Sequence, residues 1–156
     1  MTDLPPVARA LDELHISYRL FVHSGSVHSL EQAARERNQL PDQVIRSIVF
    51  CVGKDEFLMA LMAGDRQISW PILRRYLGQS RLTMATEDEV RRVTGYERGA
   101  VAPFGLPRPI RILVDESVFT HDEISLGSGV RGTAVIMTAI DLRRALGDVE
   151  IVAMKG

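Results

Sequence analysis

A guanidinium inside an apolar, β-rich run is costly unless it is paired or reaches a cleft. Arg46 sits in such a run, Val44-Ile45-Arg46-Ser47-Ile48-Val49-Phe50. Two readings are open. Strand alternation turns Arg46 to solvent on one face of an amphipathic strand, or the residue forms an anion site, its planar fork offering two donors to a phosphate. A second feature is the stretch Gly95-Tyr96-Glu97-Arg98-Gly99-Ala100-Val101-Ala102-Pro103-Phe104-Gly105. Glycines admit left-handed backbone and close approach, so this loop can aim several N–H groups at one anion or developing oxyanion. A structural turn between a helix and a strand uses similar residues. The cluster Gly127-Ser128-Gly129-Val130-Arg131-Gly132 fits a wide hairpin equally well.

The remaining chemistry is sparse. His15, His23, His28 and His121 have no metal-ligand spacing and no accompanying cysteine pair, so no metal and no cofactor are expected. His23 follows a β-rich run and is a candidate to line a cleft, the plainer reading being a packed or surface histidine. Ser47 lacks an evident base in sequence, and no nucleophilic triad is supported. Phosphate-loop and dinucleotide glycine motifs are absent.

The elements that must position these residues alternate along the chain. Val7, Ala10, Leu11 and Leu14 recur at helical spacing after Pro5 and Pro6, and Tyr18 to Val22 reads as a strand. Ser29 with Gln32 opens a helix to about Asn38. Val44 to Val52 and Glu56 to Met62 form a hairpin turned by Gly53, Lys54 and Asp55. Ser69 before Trp70-Pro71 starts a helix to Gly78, and Leu82 to Ala85 is a short strand. Thr86 with Glu89 caps another helix, closed by Gly95. Gly95 to Pro109, with three glycines and three prolines, is a long ordered loop. Strands over Ile110–Val114, Glu123–Leu126 and Thr133–Met137, a helix from Thr138 to Leu146 and a strand over Val149–Ala153 complete the pattern. Neighbouring strands outnumber clean βαβ units, so the class is α+β with a mixed sheet.

Composition narrows the function. With 156 residues, 46% hydrophobic and 25% charged, the chain reads as one domain, 1–156, large enough for a sizeable core. Lys+Arg 19 against Asp+Glu 20 gives a net charge of -1, which excludes nucleic-acid coating by overall positive charge. Any RNA contact must come from a local patch. Only Lys54 and Lys155 among the basic residues are lysines. The single cysteine, Cys51, lies in an apolar run and reads as a buried core thiol. No apolar stretch approaches a membrane span, and the Met1 end lacks a basic start followed by an apolar region, so a cytoplasmic protein without membrane contact is expected.

Several ordered segments carry a resemblance: Gln43-Val44-Ile45-Arg46-Ser47-Ile48-Val49-Phe50, Met62-Ala63-Gly64-Asp65-Arg66, Thr94-Gly95-Tyr96-Glu97-Arg98-Gly99 and Pro103-Phe104-Gly105. Val114-Asp115-Glu116-Ser117 and Gly129-Val130-Arg131-Gly132 follow in register. From the first helix to Leu146 the chain resembles the YbaK/ProX aminoacyl-tRNA deacylases, which also occur as the editing insertion of bacterial prolyl-tRNA synthetases.

The resemblance implies a compact α+β domain with a mixed, strongly curved β-sheet surrounded by helices, hydrolysing the ester between a wrongly attached amino acid and the terminal adenosine of tRNA. It implies a reaction without metal or covalent nucleophile, assisted by the tRNA hydroxyls or substrate-bound groups. Catalytic roles fall on Arg46, Gly99 and Gly105, and substrate binding on His23, Ser47, Gly95, Tyr96, Pro103, Phe104, Gly129 and Gly132. The expected partner is the acceptor end of aminoacyl-tRNA, with an aminoacyl-tRNA synthetase as a second candidate. Arg46, with Arg35, Arg37 and Arg66, is expected to meet its phosphates. One departure stands out: the family's strand motif carries lysine where this chain has Arg46. A free-standing trans-editing hydrolase is the leading expectation. A catalytically silent module that binds the tRNA end or a nucleotide is the alternative, which Arg46 favours.

Overall fold

Side-chain oxygens that accept the first unpaired N–H groups set most of the helix starts. Ser29 accepts from Gln32 N at 3.0 Å, Ser69 from Ile72 N at 3.3 Å and Thr138 from Asp141 N at 3.1 Å. Thr86 and Glu89 close a reciprocal capping box. In the computed structural model, which describes residues 4–156, the helices are α1 (Pro6–Glu13), α2 (Leu30–Glu36), α3 (Trp70–Leu77), α4 (Glu87–Thr94) and α5 (Ala139–Leu146). Gly78 and Gly95 close α3 and α4 in the left-handed conformation that favours glycine.

The strands are β1 (Arg19–Val22), β2 (Ile45–Val52), β3 (Glu56–Ala63), β4 (Leu82–Met84), β5 (Arg111–Asp115), β6 (Glu123–Gly127), β7 (Thr133–Thr138) and β8 (Glu150–Val152). They form an antiparallel sheet of order β1-β7-β6 and a mixed five-stranded sheet of order β4-β2-β3-β5-β8. In the larger sheet β3–β5 and β5–β8 are parallel and β2–β3 and β2–β4 antiparallel. The expected α+β class with mixed pairing is therefore present. Where one curved sheet was expected, hydrogen bonding divides the strands in two, joined by a single parallel bridge between Val44 and Ser125. The division falls there because the Pro41–Gln43 3-10 turn ends directly before β2, so only Val44 reaches β6.

Alternation along β2 and β3 feeds two cores. Ile45, Val49, Met59, Leu61 and Ala63 face the larger one, shared with α1, β6, β7 and α5. Phe50, Leu58, Ala60 and Met62 face the other, closed by Leu73 of α3 and Met154. Met59 to Ala63 are wholly buried, which explains why β3 reads as a nearly continuous apolar run. Cys51 departs from its expected place in the core: it is half-buried and free, near the hairpin end of β2, between Phe57 of β3 and Thr83 of the short β4. Among the described residues no helix is long and apolar enough to cross a membrane.

Outside the cores, β5, β8 and α3 meet through polar contacts. Arg111 donates from Nε and Nη2 to the two carboxylate oxygens of Glu150 at 2.8 Å each, and the Tyr76 hydroxyl donates to Glu150 at 2.5 Å. Hydrogen bonds from Arg111, then from Tyr76, hold the Glu150 carboxyl down at about 2. A depressed carboxylate stabilises the fold above its unfolded value and loses that contribution as pH falls toward its folded value. The pair is solvent-exposed, so screening limits it to about 0.5–1 kcal/mol. Glu150→Gln is expected to lower stability by that amount at pH 7, measured by urea denaturation. The difference from wild type should shrink as the pH is taken from 4.5 toward 2.

Candidate active site

The site begins at an unfinished sheet edge. β3 pairs with β2 along its whole length, from Ile45 to Val52, but β4 covers the opposite edge only from Phe50 to Val52. Beyond that, Ala85 N donates to Val49 O at 3.0 Å. Backbone N–H and C=O groups alternate in direction along a strand. Because Val49 turns its carbonyl away from β3, Ser47 turns its own N–H and C=O to the same, uncovered edge. The Ser47 hydroxyl is shielded from solvent and has no hydrogen-bond partner among the described residues.

Facing this edge is a cavity of about 1000 Å³. Its walls are Val44 to Ile48, the segment from His23 to Val27, the inner face of α2, Arg98, Gly99 and Val101 of the long loop, and the β6–β7 hairpin with Arg131 and Gly132. Gly127 lets the hairpin and the loop touch: a Cβ there would lie 2.6 Å from Val101 O and 2.9 Å from Ala100 O. Gly129 N then ties the hairpin to Ala100 O at 3.0 Å. The N–H groups of Gly99 and Val101 donate to no protein acceptor among the described residues.

Among the described residues the wall carries four arginines, Arg37, Arg46, Arg98 and Arg131, and no carboxylate. Arg98 and Arg131 have acidic neighbours outside the cavity, Glu87 at 3.7 Å and Glu97 at 3.6 Å. Each also donates to a backbone carbonyl, Arg98 to Ala85 at 2.8 Å and Arg131 to Arg98 at 2.9 Å. Arg46 donates from Nε to Gly64 O at 2.5 Å and from Nη2 to Arg66 O. One edge of its fork therefore clamps the turn after β3. Burial lowers the Arg46 pKa from its ordinary value, with Asp65 opposing the shift.

His23 and Arg37 form a linked pair. His23 Nδ1 lies 2.7 Å from Glu36 Oε1, and Arg37 donates from Nε to His23 Nε2 at 3.1 Å and from Nη1 to Ser125 Oγ at 3.0 Å. The Ser125 hydroxyl in turn donates to Gln39 Oε1 at 2.7 Å. Hydrogen bonds from His23, then Gln32, hold the Glu36 carboxyl below its usual value. Among the described residues no group of His, Cys, Asp and Glu is arranged to hold a metal ion.

Of the residues singled out in the sequence, His23, Arg46, Ser47, Gly99 and Gly132 share the cavity wall. Gly95, Tyr96, Pro103, Phe104, Gly105 and Gly129 do not belong to that wall and shape the loop from behind. Tyr96 is buried, and its hydroxyl donates to Phe104 O at 2.5 Å. Burial raises its pKa, which keeps the phenol a donor. Gly105, expected to serve the reaction, has a packing reason to be glycine: at φ +70° it lies against the Tyr96 hydroxyl and Pro6. Arg98 and Arg131 were not chosen from sequence, although each precedes a glycine of the wall. Of Arg35, Arg37 and Arg66, only Arg37 lines the cavity, and Arg66 pairs with Asp42 at 3.0 Å.

Residues 24–145 match the model of the aminoacyl-tRNA editing domain. Over 98 residues the chain is 30% identical to the proline–tRNA ligase of Aquifex aeolicus (strain VF5), covering 63% of this chain and 17% of the ligase. Over 114 residues it is 30% identical to that of Brachyspira hyodysenteriae (strain ATCC 49526 / WA1), covering 73% and 20%. The chain thus spans about a fifth or less of the ligases it matches. A solved structure of a protein proposed as a trans-editing enzyme for prolyl tRNA synthetase superposes with a TM-score of 0.86 at 25% identity, covering 97% of this chain and 95% of that one. The chain belongs to the aminoacyl-tRNA editing domain family.

The glycines behind the cavity differ sharply in what a side chain would meet. At Gly129, φ +92°, a Cβ would lie 2.8 Å from the Tyr96 ring and 3.2 Å from Pro6, at Gly105 it would strike the Tyr96 hydroxyl, and at Gly132, φ +83°, it meets open space. Left-handed strain alone costs about 1–2 kcal/mol and overpacking about 1–3 kcal/mol more. Gly105→Ala and Gly129→Ala are therefore expected to lower stability by at least about 2 kcal/mol, and Gly132→Ala by about 1 kcal/mol. Urea unfolding checks the values. In a double-mutant cycle, Tyr96→Phe should make Gly105→Ala cheaper, because it removes the atom struck.

Proposed function

We propose, with membership of this family as the premise, that the chain is a hydrolase that removes a wrongly attached amino acid from tRNA by cleaving its ester to the terminal adenosine. The observation that carries this reading is one cavity that, among the described residues, holds four arginines, no carboxylate, and the unpaired N–H groups of Gly99 and Val101, and that faces the open edge at Ser47. The arginines suit the phosphates of a single-stranded acceptor end. Gly99 and Val101 are placed to donate to the ester carbonyl as it becomes a tetrahedral oxyanion, where fixed donors stabilise developing charge without reorganising.

An aminoacyl ester is already activated. Holding it in line with a water molecule supplies much of the rate. Water adds to the carbonyl carbon, the intermediate collapses with cleavage of the bond to the ribose oxygen, and that oxygen leaves protonated as the tRNA hydroxyl. The Ser47 backbone N–H and carbonyl, on the uncovered edge, offer a donor and an acceptor for the terminal ribose or the amino group. Action in trans on tRNA charged by a synthetase is supported by the full-length match to a protein proposed as a trans-editing enzyme for prolyl tRNA synthetase.

A silent binding module was the alternative drawn from Arg46. It rests on arginine standing where the family has lysine, and the wall holds three other arginines besides it. Purified protein offered a panel of tRNAs carrying alanyl, cysteinyl, seryl and threonyl esters is expected to turn over at least one of them, at a rate unchanged by EDTA. Binding of the tRNAs without cleavage of any ester would instead establish the silent module.

A further inference from the structure

Half-buried cations without an acidic partner are costly, and they resolve that cost when an anion arrives. Among the four arginines of the wall, Arg37 and Arg46 have no carboxylate within 4.0 Å among the described residues, whereas Arg98 and Arg131 do. Both give Nε and one Nη to neutral acceptors and, among the described residues, keep the other Nη free; they differ in which acceptors hold them. Arg46 spends the Nε–Nη2 edge, the natural fork for phosphate, on the carbonyls of Gly64 and Arg66. Arg37 is gripped by two neutral acceptors, His23 Nε2 and Ser125 Oγ, through Nε and Nη1. Its Nη2 donates to no protein atom among the described residues.

The grip on Arg37 has a defined polarity. A guanidinium is an obligate donor, so His23 Nε2 must be an acceptor and the ring proton must sit on Nδ1, donated to Glu36 Oε1. Gln32 holds the other Glu36 oxygen at 2.8 Å, anchoring the chain of contacts to α2. Ser125, for its part, donates to Gln39, which leaves its oxygen an acceptor for Arg37. Every partner thus orients the guanidinium and none neutralises it. Burial lowers the Arg37 pKa, opposed by Glu36, as expected for a cation held short of counter-charge.

We propose that Arg37 is the residue of the cavity that binds a phosphate of the tRNA acceptor end, and that the His23–Glu36 pair is its positioning device. The proposal rests on the deacylase reading above and narrows to Arg37 a contact that the sequence placed first on Arg46 and shared among Arg35, Arg37 and Arg66. Arg37 contacts the substrate. His23 acts only through Arg37.

The test uses the whole chain, an uncharged acceptor-stem minihelix as the binding probe, and the aminoacyl ester that wild type cleaves. Arg37→Met is expected to weaken minihelix binding by about tenfold or more, the range for loss of a charge-assisted hydrogen bond. KM should rise by a similar factor with kcat nearly unchanged. The log-log salt slope of binding should also become shallower by about 0.7, the signature of one fewer phosphate neutralised on a single strand. Arg37→Lys retains the charge and should retain the slope, which covers the case in which the methionine variant does not fold. His23→Ala should weaken binding severalfold while leaving the slope at its wild-type value, a split that loss of structure alone does not produce. Wild-type slope and affinity in Arg37→Met, with the loss appearing in Arg46→Met instead, would overturn the assignment. Wild-type protein that neither binds the minihelix nor cleaves any ester would overturn the deacylase reading and this proposal with it.

Discussion

The edge of β2 left uncovered between Ile45 and Ile48 is the constraint on which the site depends. A buried strand edge presents donors and acceptors that must be paired, covered or given a ligand. β4 stops at Phe50, and β6 reaches only Val44 through one bridge. Between those two points the edge opens on a cavity rather than on another strand. α2, the long loop and the β6–β7 hairpin enclose that gap without closing it. Their glycines serve this arrangement in two ways: Gly127 permits backbone contact between hairpin and loop, and Gly105 and Gly129 leave room for Tyr96 and Pro6 behind them.

Electrostatics then decide what enters. The whole chain is close to neutral, with a net charge of -1, yet among the described residues the cavity wall concentrates arginine and holds no carboxylate. That contrast is the local patch that the overall charge demanded of any RNA-binding surface. Neutral backbone carbonyls and a neutral imidazole hold these cations in place. Acidic partners of Arg98 and Arg131 lie outside the wall, where they steady the side chains without filling the cavity with negative charge.

Much of the scaffold was legible because its signals are local. Ser29 and Thr86, from their spacing to Gln32 and Glu89, Ser69, from the Trp70-Pro71 that follows, and Thr138 start helices where they were expected, and the Gly53-Lys54-Asp55 turn joins two β-rich runs as read. The Pro41–Gln43 and Glu116–Phe119 3-10 turns were not read, since a single turn leaves no periodicity. Glycine roles were harder. Gly99 and Gly105 look alike in sequence, but one lines the cavity and the other packs against Pro6, a neighbour far away along the chain. Arg37 was named with Arg35 and Arg66, but nothing local set it apart from them: its partners, His23 and Ser125, converge only once α2 lies across β6. A residue-type signal did exist for Arg98 and Arg131, each directly preceding a cavity glycine, in segments that had been weighed for their glycines alone.

The central claim is that the acceptor end of tRNA enters the cavity at the open β2 edge. Titration of isotope-labelled protein with an uncharged acceptor-stem minihelix, followed by nuclear magnetic resonance, tests it most directly. The account predicts that the backbone amides of Ser47, Gly99 and Val101 and the Arg37 side-chain Nε–H shift together along one saturation curve. Saturable shifts confined to another surface, such as the groove around Phe57, Arg92 and Arg108, with those four signals unmoved, would contradict it.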